Sequence, residues 1–431
     1  MGSYIPAGAD ERREMLDRCG VKSVDDFYGA VPAAMRLDKL NLPSGVSELE
    51  TVRFVEELAG KNLRLKSVFR GAGAYRHFIP ATVKSVTSKE EFVTAYTPYQ
   101  AEISQGILQS IFEYQTMICE LTGLDVANAS VYDGATAAAE ALAMCREPKR
   151  NRALVAAGTN PRALAVIKTY AFGSGMEVET VETKDLAAKL GDDVACVYLQ
   201  QPDFYGTIED AEAIGKLAHA AGAKFVMGVN PIAAALLKCA GECGADVAVG
   251  EGQPLGMPLS WGGPYLGFMS ATTAMMRKLP GRIVGETVDA AGNRAFVLTL
   301  QAREQHIRRE KASSNICSNQ NLCALTASVY LSTLGPDGLV QVAESCLSNA
   351  HYLQAELAKL GFAHEDRGAF FHEFVTSSPV PVGELLDALA SAGILGGLKL
   401  DGNRILWCAT ELNDKADIDR LVAEIGKAVA K

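Results

Sequence analysis

Apolar residues in the first hundred positions follow a helical rhythm only in places. Leu49, Val52, Val55 and Leu58 form one stripe behind Ser47 and Glu50, whose spacing is that of a capping box. Asp10 stands before the helical run ERREMLDRC, and Gly20 closes it. From Gly60 to Tyr99 the breakers Gly71, Gly73, Pro80 and Pro98 interrupt every run, so this stretch is expected to wind over a surface and not to build a core. Residues 1–100 therefore read as an N-terminal helical arm with a wrapping segment, the kind of extension that often embraces a partner.

Beyond residue 100 the pattern alternates. Short apolar runs at 153–157, 195–200, 224–228 and 246–249 read as strands separated by helical stretches, and that alternation predicts a mostly parallel sheet. After the first run, Asn160 offers a cap and Pro161 a first helical turn. Leu164, Val166, Ile167 and Tyr170 continue that helix to a stop near Gly173. A long helical segment over 322–360, strands at 370–376 and 404–409, and helices over 382–392 and from Asp417 onward have the rhythm of a smaller α/β domain. The expected fold class is α/β, with a large domain over 101–321 and a small C-terminal domain over 322–431. No internal repeat, low-complexity tract or charge block interrupts this order.

Composition narrows the partners. The 431 residues carry 41 basic and 51 acidic side chains, a net charge of −10, and no lysine or arginine run supplies the footprint that nucleic acid or an anionic membrane requires. Charged residues stand where a secretory signal needs its apolar core, and no stretch has the length of a membrane span, so a cytoplasmic protein is expected. The ten cysteines are scattered. Cys239/Cys243 and Cys317/Cys323 are the closest pairs and neither has a histidine nearby to complete a metal site, so they read as reduced core thiols and no metal is expected.

The first candidate chemistry lies at residues 130–136, which lead straight into an alanine-rich helix over 137–145. Backbone N–H groups and the Thr136 hydroxyl meet at that helix N-terminus, where a phosphate would be favoured. An ordinary N-cap by Asp133, with Gly134 and its small neighbours serving close packing, explains the same residues, and the segment alone leaves both readings open. Gly71 and Gly73 are no dinucleotide fingerprint, because no strand, GxGxxG and helix follow one another there.

A wide α/β domain, a small C-terminal α/β domain and a loop-to-helix anion site near the start of the first resemble the fold type I pyridoxal-phosphate (PLP) enzymes. Such enzymes require a lysine to hold the cofactor covalently and an acid to keep its pyridine nitrogen protonated. Measured against that pattern, Met227 stands at the aspartate position and Gln253 at the lysine position, and a neutral amide has no lone pair free to attack an aldehyde. The strings YTPYQAEISQG from Tyr96, FEYQTMICELTGLDVANASVYDGATAAAEA from Phe112, WGGPYLGF from Trp261 and REKASSNICSNQ from Arg309 are similar to the amino-terminal half of glycine decarboxylase, the P-protein of the glycine cleavage system. The likeness runs from the arm to the small domain, and a chain that ends there resembles subunit 1 of the family's two-subunit form, in which the missing lysine belongs to subunit 2.

That resemblance implies the rest. No complete catalytic site is expected in this chain alone, and PLP would be held covalently by the partner. Decarboxylation of glycine would pass an aminomethyl group to the lipoyl arm of the carrier H-protein, within a heterotetramer. Arg309, Lys311, Ser313, Ser314 and Asn315 occupy the loop that, in fold type I dimers, reaches a neighbour's cofactor phosphate; Ser313 replaces the threonine common in relatives and keeps a hydroxyl. A structural loop with its charges facing water is the plainer account of the same residues. Tyr96 and Tyr99 flank a proline turn and, with His77, are substrate-side candidates, although aromatics beside proline usually serve packing; Tyr75 and Arg76 have weaker standing. Two rivals stand beside this reading: a non-catalytic structural or regulatory partner derived from such an enzyme, and a self-sufficient enzyme that uses Lys311 to hold the cofactor.

Overall fold

The computed structural model describes residues 7–37, 39–312 and 314–430. The chain divides into two compact units, Met1–Leu63 and Arg64–Lys431. In the first, helix Ala9–Arg18 starts from Gly8 and not from Asp10, which falls in its first turn. Helix Glu48–Gly60 begins as its sequence predicts: Ser47 Oγ accepts from the Glu50 amide while the Glu50 carboxylate accepts from the Ser47 amide at 2.8 Å. Neither helix contains a buried residue, and Leu49, Val52, Val55 and Leu58 are exposed.

The second unit is built on a seven-stranded sheet. Its strands run in the order Val126–Ala127, Gly267–Ala271, Val247–Glu251, Lys224–Val229, Val194–Gln201, Arg152–Ala156 and Glu177–Val181. The four pairings from Val247–Glu251 to Glu177–Val181 are parallel, whereas Gly267–Ala271 pairs antiparallel to both its neighbours. One face packs Leu154, Val197, Phe225, Met227 and Phe268 into a core with helices Gln105–Thr122 and Asn321–Lys359; the other packs Val155, Val226 and Val249 against Ala138 and Leu142 of helix Gly134–Met144. Apolar runs buried on both faces are the mark of a central parallel sheet. The edge strand Glu177–Val181 has no such run, because only Val181 is buried, so its sequence gives no strand signal.

Two departures from the sequence pattern shape the site. The strand expected at 246–249 spans Val247–Glu251, which carries Gly250 and Glu251 to the sheet's carboxyl edge. The long helical segment is real as Asn321–Lys359 but breaks at Gly335, whose φ of 63° is left-handed, immediately before Pro336, which lacks the N–H to continue a helix.

The C-terminal part holds a four-stranded antiparallel sheet, Ala363–His364, Glu373–Ser377, Arg404–Cys408 and Leu398–Lys399 in that order. Helices Val382–Ser391 and Lys415–Val429 share its core around Trp407, whose Nε1 donates to Thr376 Oγ1 at 2.9 Å. The expected surface-winding segment is tied in here: Ser67–Val68 pairs parallel with Ile394–Leu395, and Phe69 is fully buried. No helix among the described residues is long and apolar enough to cross a membrane.

Candidate functional site

Parallel α/β sheets leave a crevice beyond the carboxyl ends of their strands. In this chain it is a cavity of about 490 Å³, reached by Gln200, Gly228 to Pro231, Gly250 and Glu251 from the strand ends, and by Asp133 to Ala135 from the start of helix Gly134–Met144. Asp133 caps that helix, its carboxylate accepting from the Thr136 amide at 2.8 Å. The Gly134 amide points instead at Glu251 and donates to Oε2 at 2.9 Å. Glu251 Oε1 accepts from the amides of Gln253 at 2.9 Å and Leu266 at 3.0 Å. Burial pushes the Glu251 carboxyl up to about 7 against the pull of these three donors. The backbones also touch: a Cβ on Gly134 would stand 2.7 Å from the Glu251 nitrogen, so only glycine fits.

A strap, residues 71–78, closes another side. Gln253, 1% exposed, accepts from the Tyr75 amide at 2.9 Å and donates to the carbonyls of Tyr75 and Met257, both at 2.8 Å. The Tyr75 hydroxyl donates to Glu373 Oε2 at 2.7 Å and the Ala72 amide to Oε1 at 2.6 Å. Burial drives the Glu373 carboxyl up to about 7 and raises the Tyr75 phenol as well. Farther along, Glu411 accepts from the Phe78 amide at 2.6 Å and lies 2.8 Å from His77 Nδ1. Burial acts to raise Glu411, but His77 and that amide outweigh it and hold the carboxyl below its ordinary value. His372 lines the cavity beside Tyr75, ring centroids 4.6 Å apart, with neither ring nitrogen partnered; burial, aided by His77, lowers it to about 3.

Of the residues singled out from sequence, Asp133, Gly134 and Tyr75 line this cavity, and the others lie elsewhere. Gln253 faces the strap, and Met227 is packed in the core with Phe225 and Val229, while the polar residue its strand brings to the cavity is Asn230. Tyr96 is exposed; Tyr99 is also exposed, and its hydroxyl accepts from Arg282 at 2.6 Å. His77 is buried on Glu411. Arg309, Lys311 and Asn315 are exposed, and Ser314 accepts from the Ile316 amide at 3.1 Å. Ser313 lies outside the described residues. None of these lines the chain's own cavity.

Glu251, Glu373 and His372 escaped the sequence reading. Glu251 had one signal, a lone carboxylate between two glycines at the end of an apolar run. Glu373 had none, because its partners Ala72 and Tyr75 lie about 300 residues away in the chain, and His372 had none, because only the fold brings its ring to Tyr75. Cys346 was missed too: with His77 and Glu411 it forms a group whose ligating atoms lie within 4.8 Å of one another; its thiol donates to Glu411 at 3.4 Å and His77 Nδ1 lies 2.8 Å from the same carboxylate, while His77 Nε2 is buried without a partner. Of the ten cysteines, six are buried, two are half-buried, and Cys19 and Cys317 are exposed and so are not core thiols.

This cavity does not suit pyridoxal phosphate. No lysine lines it among the described residues, and Gly228 to Pro231 bring it no carboxylate for a pyridinium. The amide that would meet a phosphate is taken by Glu251.

The sheet order, the carboxyl-edge cavity and the small C-terminal sheet define the class as the fold type I architecture of PLP enzymes. Solved structures share it at low identity: a sphingosine-1-phosphate lyase from Burkholderia pseudomallei (13% identical, TM-score 0.66, 94% of each chain) and an aspartate aminotransferase from Thermus thermophilus (14%, TM-score 0.60, 85% of this chain and 99% of that one). A crystal structure of glycine decarboxylase, the P-protein of the glycine cleavage system, in inhibitor-bound form is far nearer: TM-score 0.94, 41% identical, over 99% of this chain and 100% of that one. The family described as glycine cleavage system P-protein matches residues 2–425. A protein of Moorella thermoacetica named probable glycine dehydrogenase (decarboxylating) subunit 1 is 50% identical over 98% of both chains, and its namesake in Desulforamulus reducens is 48% identical over 98% of this chain and 99% of its own. The chain belongs to the glycine cleavage system P-protein family.

Proposed function

We propose that this chain is the lysine-lacking first subunit of a two-subunit glycine dehydrogenase (decarboxylating), acting in the cytoplasm beside a second subunit that holds pyridoxal phosphate covalently. The observation that carries the reading is Gln253: in a chain matched end to end by relatives named subunit 1, the lysine position bears a buried amide committed to the Tyr75 and Met257 backbone. When bound in the partner, the cofactor supplies an electron sink for the charge left as glycine loses carbon dioxide. The aminomethyl group then goes to lipoylated H-protein.

This chain's residues act at the partner's site. The exposed Arg309, Lys311 and Asn315, with Ser313 and Ser314, offer positive charge, hydroxyls and an amide to the cofactor phosphate. Tyr96 and Tyr99 present exposed rings near the mouth of that site, where they orient glycine and exclude water. His77 supports the strap from its bond to Glu411. The exposed stripe Leu49, Val52, Val55 and Leu58 gives the arm an apolar face for the partner, within a heterotetramer of two such pairs. A purely structural role is the alternative, favoured by Glu251 occupying the amino end of helix Gly134–Met144 in the chain's own cavity.

The test is the absorbance spectrum and glycine-dependent carbon dioxide exchange with H-protein, measured for this chain alone and with its candidate second subunit, pyridoxal phosphate being supplied to both. A colourless chain that gains a cofactor band and activity only with the partner supports the proposal. A borohydride-fixable cofactor and activity in the chain alone overturn it.

A further inference from the structure

We propose that the Glu251 carboxylate is a built-in substitute for a bound phosphate: it keeps the amino end of helix Gly134–Met144 closed to phosphate-bearing ligands, and removing it converts the cavity into an oxyanion site. Three amides from three stretches of chain converge on this one side chain, Gly134 from the helix start, Gln253 from the turn after strand Val247–Glu251, and Leu266 from the approach to strand Gly267–Ala271, at 2.9, 2.9 and 3.0 Å. Convergent backbone donors at a helix N-terminus are how proteins bind phosphate, and here the anion comes from the chain itself.

Space agrees with charge. The Gly134 and Glu251 backbones are close enough that a carbon added to Gly134 would clash at 2.7 Å, and those backbone atoms stay in Glu251→Ala, so the room for an anion is the volume the Glu251 carboxylate now fills. Glu251 nevertheless borders the cavity of about 490 Å³, so cutting its side chain back joins the three amides to a volume that a phosphate can enter. Asp133 lies close enough to act on the Glu251 charge and opposes an incoming dianion, which keeps the expected affinity modest. The inference concerns this chain's own cavity and does not depend on the two-subunit reading.

The experiment uses the full chain, wild type, Glu251→Ala and Glu251→Gln, with inorganic phosphate, pyridoxal phosphate and formate as probes. Binding is read by phosphorus NMR and by thermal midpoint, with wild type correcting for general salt effects. Glu251→Ala should bind phosphate at least tenfold more tightly than wild type and be restabilised by formate, which replaces the lost carboxylate. Glu251→Gln still fills the space and should remain blind to phosphate. If Glu251→Ala does not fold unaided, formate or phosphate in the refolding buffer should recover it. Phosphate binding by wild type equal to that of Glu251→Ala overturns the proposal, as does an alanine variant that responds to neither phosphate nor formate.

Discussion

Replacing Gln253 by leucine keeps the volume and removes three hydrogen bonds: one accepted from the Tyr75 amide and two donated to the Tyr75 and Met257 carbonyls. At about 1 kcal/mol net for each bond, the loss is about 3 kcal/mol, and it rises if the freed backbone groups stay buried without water. The loss should be local first, because the strap has further anchors at Glu373 and Glu411. Urea unfolding followed by circular dichroism reads the global term. Hydrogen exchange of peptides covering residues 71–78 reads the local one, and about 3 kcal/mol corresponds to exchange faster on the order of a hundredfold. Gln253→Lys should cost more: an ammonium donates to the two carbonyls but faces the Tyr75 N–H with no acceptor, in a place only 1% exposed. Restoring the lysine alone should therefore yield no borohydride-fixable cofactor while Glu251 keeps the Gly134 amide. Unchanged stability and unchanged exchange over 71–78 in Gln253→Leu would refute the assignment of Gln253 as the strap's tie.

Other outcomes follow from the same geometry. His372 is lowered by burial to about 3, so it stays neutral in the native protein while the unfolded chain gains a proton below about 6.5; stability present above pH 6.5 is lost as pH falls towards 3. Between pH 6.5 and 5 this amounts to about 2 kcal/mol, and His372→Leu should remove that part of the acid sensitivity in paired urea titrations; an unaltered pH dependence would contradict it. Val52→Asp with Val55→Asp changes exposed positions, so the chain's own stability should move by no more than about 0.5 kcal/mol, while association with the second subunit weakens at least tenfold by calorimetry; equal affinity would remove this stripe from the interface. Ser313→Ala with Ser314→Ala should accelerate loss of cofactor from the assembled pair on dialysis, and retention equal to wild type would take both hydroxyls out of the site.

What the sequence disclosed was whatever depends on near neighbours. The Ser47 capping box, the Asn160 cap with Pro161 behind it, and the apolar runs of the parallel strands all arise within a few residues, and all appear in the structure. The edge strand Glu177–Val181 did not show, because only Val181 of its five residues is buried and Glu177 and Glu179 break up any apolar run. The break in helix Asn321–Lys359 was signalled by Gly335 and Pro336 but outvoted by the apolar periodicity around it. At the site, Gln253 was legible as an amide where the resemblance puts a lysine. Its partners were not, since Gln253 meets Tyr75 across 178 residues of chain and Gly134 meets Glu251 across 117.

These long-range pairs have a common physical cause. A fold that assembles backbone donors at the carboxyl edge of its sheet must satisfy them, because a buried N–H without a partner costs about as much as a lost hydrogen bond. In this chain one carboxylate answers three amides, and one side-chain amide pairs both backbone groups of Tyr75. Without these two side chains those backbone groups would be left unpaired in the interior. Glu251 and Gln253 answer those donors and acceptors with side chains of the chain itself.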